Sequence, residues 1–223
     1  MFFPPLIFLL MLVFLVIALI LLPFLLVGMM GSAFLKLGLP PTTMFWLLIL
    51  TLLGSMINIP IREIESQHLV KDQMVSFFGM RYRAPQVLRT HKTVLAINVG
   101  GAVVPLLLSI YLLSKMGVTL GLVLVVGLVT LVANRLARPV QGLGIALPGL
   151  IPPLVAVLGT YLFCPPELRA PVAYIAGTMG ILVGADLLNL KEIGKLGAPV
   201  ASIGGAGTFD AIFLSGIIAV LLS

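Results

Sequence analysis

The apolar positions of this chain fall in long unbroken runs rather than at the spacing of one helix face or one strand face. Residues 4–30 open with PPLIFLLMLVFLVIAL and hold no Lys or Arg, and MFWLLILTLLGSMINIPI covers 44–61. Further runs lie at about 93–114, 118–134, 143–164, 171–190 and 199–222. About 20 apolar residues cross a bilayer as a helix, so the pattern predicts seven spans. The first run lacks the basic n-region of a secretory signal and is too long for its core, which predicts a retained helix with Pro23 as its kink.

One stretch breaks the pattern. Residues 62–92 carry six basic side chains (Arg62, Lys71, Arg81, Arg83, Arg89, Lys92), three acids (Glu63, Glu65, Asp72) and both His68 and His91. Within it, VSFFGMRYR sets Phe77, Phe78 and Tyr82 among arginines, a composition suited to the headgroup boundary of anionic lipid.

Composition agrees with a membrane protein. The chain is 61% hydrophobic and 9% charged, against about 25% charged in ordinary soluble domains. The expected fold is therefore all-α, a polytopic transmembrane helix bundle forming a single domain over residues 1–223, with 62–92 as its basic cytoplasmic or interfacial loop. The net charge of +6 is spread over loops without a dense basic stripe, which argues for membrane topology and lipid headgroups and against nucleic acid. Cys164 is the only cysteine and reads as a small apolar filler; the two histidines are 23 residues apart without a third ligand. Neither a metal nor a cofactor is expected.

Orientation follows from the cations. With the N-terminus in the cytoplasm, ten of the 13 Lys and Arg fall on that side, leaving only Lys36, Lys115 and Arg169 outside. Trp46, Tyr111, Tyr161 and Tyr174 then fall near the outer ends of their spans. The chain is expected to cross its membrane several times.

With that orientation, Asn58, Asn98, Asn134, Asp186, Asn189 and Asp210 all lie toward the cytoplasmic side. Glycine and proline gather at the same depth, in INVGGAVVP, GLGIALPGLIPP and SIGGAGTFD. Irregular backbone is tolerated there where it is buried in protein or lines water. We expect a hydrated cavity open to the cytoplasm, lined by Asn58, Asn98, Asn189, Gly205 and Gly207, while Asn134 near its helix end reaches interfacial water. A carboxylate within a span costs about 3 kcal/mol on insertion scales and usually has a partner. Asp186 and Asp210 lie 24 residues apart on consecutive spans. If they meet, they share a proton and titrate as a unit. One carboxylate could then deprotonate water while the other protonates a peptide carbonyl.

The segment Gly205-Ala206-Gly207-Thr208-Phe209-Asp210 resembles the GxGD segment of the intramembrane aspartyl proteases, the presenilin, signal peptide peptidase and prepilin peptidase group. The resemblance implies Asp186 and Asp210 as catalytic acids, a membrane-embedded peptide as substrate, and Ala146-Leu147-Pro148 as a counterpart of the family's Pro-Ala-Leu motif. Thr208 and Phe209 stand between the second glycine and the aspartate, and Ala185 replaces the tyrosine that usually precedes the first one. Over its full length the chain, with SMINIPI, INVGGAVVP, GADLLNL and GGAGTFDAIFL, is similar to a family of uncharacterised prokaryotic multi-pass membrane proteins, a domain of unknown function, and that resemblance implies the inner, plasma membrane as its location. Three classes remain open: an aspartyl protease-like protein, a proton- or cation-coupled transporter, and a non-catalytic membrane scaffold.

Overall fold

The computed structural model describes residues 5–69, 74–77, 80–83, 88–140, 144–195, 199–205 and 211–223. Seven α-helices follow the seven apolar runs in order. They are α1 (Pro5–Lys36), α2 (Pro41–Gly54), α3 (Val104–Met116), α4 (Leu120–Leu136), α5 (Ile151–Phe163), α6 (Pro166–Ile181) and α7 (Ala211–Leu222). Two of them have irregular extensions. A π-helical turn, Val99–Val103, leads into α3; α6 runs on as a π-helical turn, Leu182–Asp186, and a 3-10 stretch, Leu187–Lys195. Among the described residues, three helical stretches are long and apolar enough to cross a membrane: Ile7–Lys36, Val99–Met116 and Pro166–Glu192. This is a membrane protein.

The all-α expectation needs correcting, because the described parts of the polar stretch are strands, and strands recur elsewhere in the chain. They are β1 (Asn58–Leu69), β2 (Met74–Phe77), β3 (Met80–Arg83), β4 (Leu88–Asn98), β5 (Arg138–Val140), β6 (Gly144–Ala146) and β7 (Val200–Ile203). β1 and β4 form an antiparallel ribbon from Asn58 opposite Asn98 to Leu69 opposite Leu88. β7 adds to β4 in parallel, Val94 to Val200 through Ile97 to Ile203, giving the order β1-β4-β7. The antiparallel pair of β2 and β3 holds most of VSFFGMRYR, with Phe78 and Gly79 outside the described residues.

Four expected spans are shortened accordingly, the third because its first residues, 93–98, belong to β4. The second ends at Gly54, before Pro60 and a register shift in β1. The fifth begins at Ile151, after Pro148, and the seventh at Ala211. β-branched residues such as Ile59, Ile61, Ile64, Thr93 and Val94 suit a pleated, half-buried surface. An unbroken apolar run does not distinguish that surface from a helix.

α6 is the axis of the bundle: every residue from Val172 to Thr178 is buried. Around it pack Phe34 of α1, Leu108 and Leu112 of α3, Val125 and Val129 of α4, Ala156 of α5, and Phe213, Ile217 and Val220 of α7. A second cluster joins the bundle to the sheet and comprises Leu95, Ala102, Ala133, Ile181, Leu182, Ala185, Ala201, Ile203 and Ile212. α1 is different. From Ile7 to Met29 it is exposed, and only its last turns, with Met30, Ala33 and Phe34, enter the core. Its terminal Lys36 donates to the carbonyls of Val220 and Leu221 at 3.3 and 3.0 Å, satisfying the C-terminal end of α7.

Candidate functional site: a polar junction between the sheet and the bundle

The polar residues expected at one depth do assemble, through direct hydrogen bonds. Asn98, 1% exposed, ends β4 and caps the π-helical turn that follows. Its side-chain carbonyl accepts the Gly101 N–H at 2.7 Å; its amide donates to the Ser55 carbonyl at 2.7 Å and to Asn58 Oδ1 at 3.1 Å. Asn58 Oδ1 also accepts the Ser202 hydroxyl of β7 at 2.6 Å. One amide therefore ties together the end of α2, both ribbon strands and the entrance to α3. Leaving such groups unpaired in a buried setting would cost about 1–3 kcal/mol each.

Two residues beyond Ser202 the chain turns on Gly204 and Gly205, both left-handed at φ 83° and 82°. Other residues rarely adopt that region. A Cβ on Gly204 would also sit 2.6 Å from the Ala102 nitrogen and Cβ, so the turn lies flat against the π-helical turn below it. The Gly204 N–H donates to Asp186 Oδ2 at 3.1 Å. Asp186, half-buried, ends the π-helical extension of α6. Two residues earlier, the Gly184 carbonyl accepts Asn134 of α4 at 3.1 Å and Asn189 at 3.0 Å, and Asn189 also donates to the Ala185 carbonyl at 3.0 Å. Where a helix changes its hydrogen-bonding step, carbonyls lose their regular partners. Here two asparagine amides replace them.

Among the residues expected at the site, Asn58, Asn98, Asn189, Gly205 and Asp186 belong to this junction. Asn134 differs from expectation: its amide is engaged with α6 rather than left to interfacial water. Of Ala146-Leu147-Pro148, only Leu147 reaches inward, packing on the second core cluster; Ala146 and Pro148 are exposed. Asp210 and Gly207 lie outside the described residues. Sequence reasoning missed Ser55 and Ser202. Their only signal was proximity to Asn58, Asn98 and the glycine turn.

A family model described as "Protein of unknown function (DUF1614)" matches residues 52–222, most of the chain. The chain belongs to that family. The match begins within α2 and takes in the whole polar junction, while α1 precedes it. No curated protein and no solved structure matches the chain.

Proposed function

We propose that the chain is a multi-pass protein of a prokaryotic inner membrane, N-terminus in the cytoplasm, in which Asp186 and Asp210 form an acid pair acting on a membrane-embedded peptide. The observation that carries this reading is the hydrogen bond from Gly204 to Asp186, since it seats on the first acid the turn that leads within six residues to the second.

Packing of α6 on α7 adds support. A Cβ on Gly177 would lie 3.1 Å from the Ser215 carbonyl, so these residues stand at the same level. Nine residues down α6 and four down α7, at about 1.5 Å each, leave Ala211 about 7 Å along the axis from Asp186. Asp210 immediately precedes Ala211. In this reading one carboxylate takes a proton from water, whose oxygen attacks the peptide carbonyl carbon. The other gives its proton to the carbonyl oxygen, and collapse of the tetrahedral adduct releases amine and acid. The basic segment 62–92 holds anionic headgroups beside the site.

Proton- or cation-coupled transport is a second reading, favoured by the π-helical interruptions at Val99–Val103 and Leu182–Asp186, since transporters build ion sites at broken helices. Asp186→Asn and Asp210→Asn, tested separately in proteoliposomes, distinguish the two. Protease chemistry requires both to abolish cleavage of a helical reporter while melting temperature is kept. Loss of a pH-gradient-driven flux without any cleavage by the parent protein would favour transport. If neither change alters either activity, the scaffold remains.

A further inference from the structure

Above the polar junction, α6 and α7 meet through glycines. A Cβ on Gly216 would lie 3.0 Å from the Tyr174 ring and 2.6 Å from Thr178 Cγ2, and the Gly177 contact with Ser215 faces it from α6. Three hydroxyls lie in or beside this contact. The Thr178 hydroxyl is satisfied, reaching the Tyr174 carbonyl at 2.9 Å and Ser109 Oγ at 2.9 Å. The other two are not. Tyr174 is 0% and Ser215 1% exposed, yet neither hydroxyl has a hydrogen-bond partner among the described residues.

A buried hydroxyl without a partner costs about 1–3 kcal/mol, and hydrocarbon around a membrane helix supplies no bulk water to relieve it. Each of these hydroxyls, on helices packed against one another, is satisfied by a small ligand that both donates and accepts. Water meets that need, and buried waters typically bind groups that would otherwise be unsatisfied.

We propose that the α6–α7 contact is a hydrated site in which ordered water is held by the Tyr174 and Ser215 hydroxyls. Ser215 stands four residues, about 6 Å, from the start of α7 at Ala211. The water would thus sit about one turn deeper in the membrane than the end of the helix that follows Asp210. On the acid-pair reading, and only there, it is the store from which hydrolytic water reaches the carboxylates. The site itself requires no catalysis.

Radiolytic hydroxyl-radical labelling of the full chain in lipid nanodiscs tests it, because bound water generates the radical in place. Tyr174 should label at a rate comparable to the half-exposed Tyr111 and Tyr161, although its side chain is buried. Tyr174→Phe and Ser215→Ala should each lower the melting temperature by about 2–4 °C, and together by less than the sum. Labelling of Tyr174 far slower than that of Tyr111 overturns the proposal whatever the melting temperatures do. A rise in melting temperature in Tyr174→Phe, the relief of a dry unpartnered hydroxyl, overturns it as well. Asp186→Asn should leave Tyr174 labelling unchanged while removing any cleavage, so failure of the hydrated site and failure of the acid pair are read separately.

Discussion

The backbone of Gly101 lies directly against the carbonyl of Gly204, so that a methyl group on Gly101 would overlap that oxygen. This contact presses the turn that holds Asp186 onto the turn capped by Asn98. Gly101→Ala must separate the two backbones. Overpacking of this kind costs about 1–3 kcal/mol, and Gly204→Ala should cost more, because it adds strain at a φ of 83°. Thermal unfolding of each variant in detergent checks the order: Gly204→Ala below Gly101→Ala below the parent protein.

Asn98 makes three hydrogen bonds from a site that is 1% exposed. At about 1 kcal/mol for each bond lost, Asn98→Ala should destabilise the fold by about 3 kcal/mol. Asn98→Asp can still accept from Gly101 but cannot donate to Ser55 or Asn58, and it buries a charge. It should be no better than alanine, and a melting temperature near that of the parent would contradict the network described.

Asn134 and Asn189 share one acceptor, the Gly184 carbonyl. Either amide alone keeps that oxygen satisfied. Asn134→Ala and Asn189→Ala should therefore each cost about 1 kcal/mol or less, and the double variant more than their sum, with a coupling above about 0.5 kcal/mol in a double-mutant cycle.

Cys164 sits buried in the connection between α5 and α6. Burial pushes its thiol pKa up, and the nearby Arg169 guanidinium opposes this only in part. A raised pKa means less thiolate at neutral pH, so maleimide labelling should be slow there and its rise displaced to higher pH than for an unperturbed cysteine. Arg169→Gln removes the opposing charge and should displace the rise further. Rapid labelling at pH 7 would be the contrary result.

Lys36 caps the carbonyl end of α7 from the last turn of α1. Lys36→Met should cost about 1 kcal/mol, read as a fall of about 2–4 °C in melting temperature.

The seven helices were legible in the sequence because each is written locally, as a run of apolar residues. The sheet was not. Val94 and Val200 pair across more than a hundred residues, and Ile59 or Ile61 in an apolar run carry no mark distinguishing strand from helix. The grouping of Asn58, Asn98, Asn189, Gly205 and Asp186 was expected from their places near the ends of the apolar runs, but their partners were not. Ser202 meets Asn58 only because β7 adds to β4. Asn134 turned inward because the change of helical step at Leu182–Asp186 leaves a carbonyl facing α4, a backbone event invisible in composition.

Strand β4 passes without interruption from the far end of the ribbon into the turn capped by Asn98. A paired strand transmits tension and torsion along its length with little slack. Loading or twisting the ribbon, as a partner gripping its outer rungs would, therefore pulls on the glycine contact beside Asp186. In mechanical terms the ribbon is a handle fixed to the acid, and immobilising it should be felt at Asp186 without any chemical group near the carboxylate being changed.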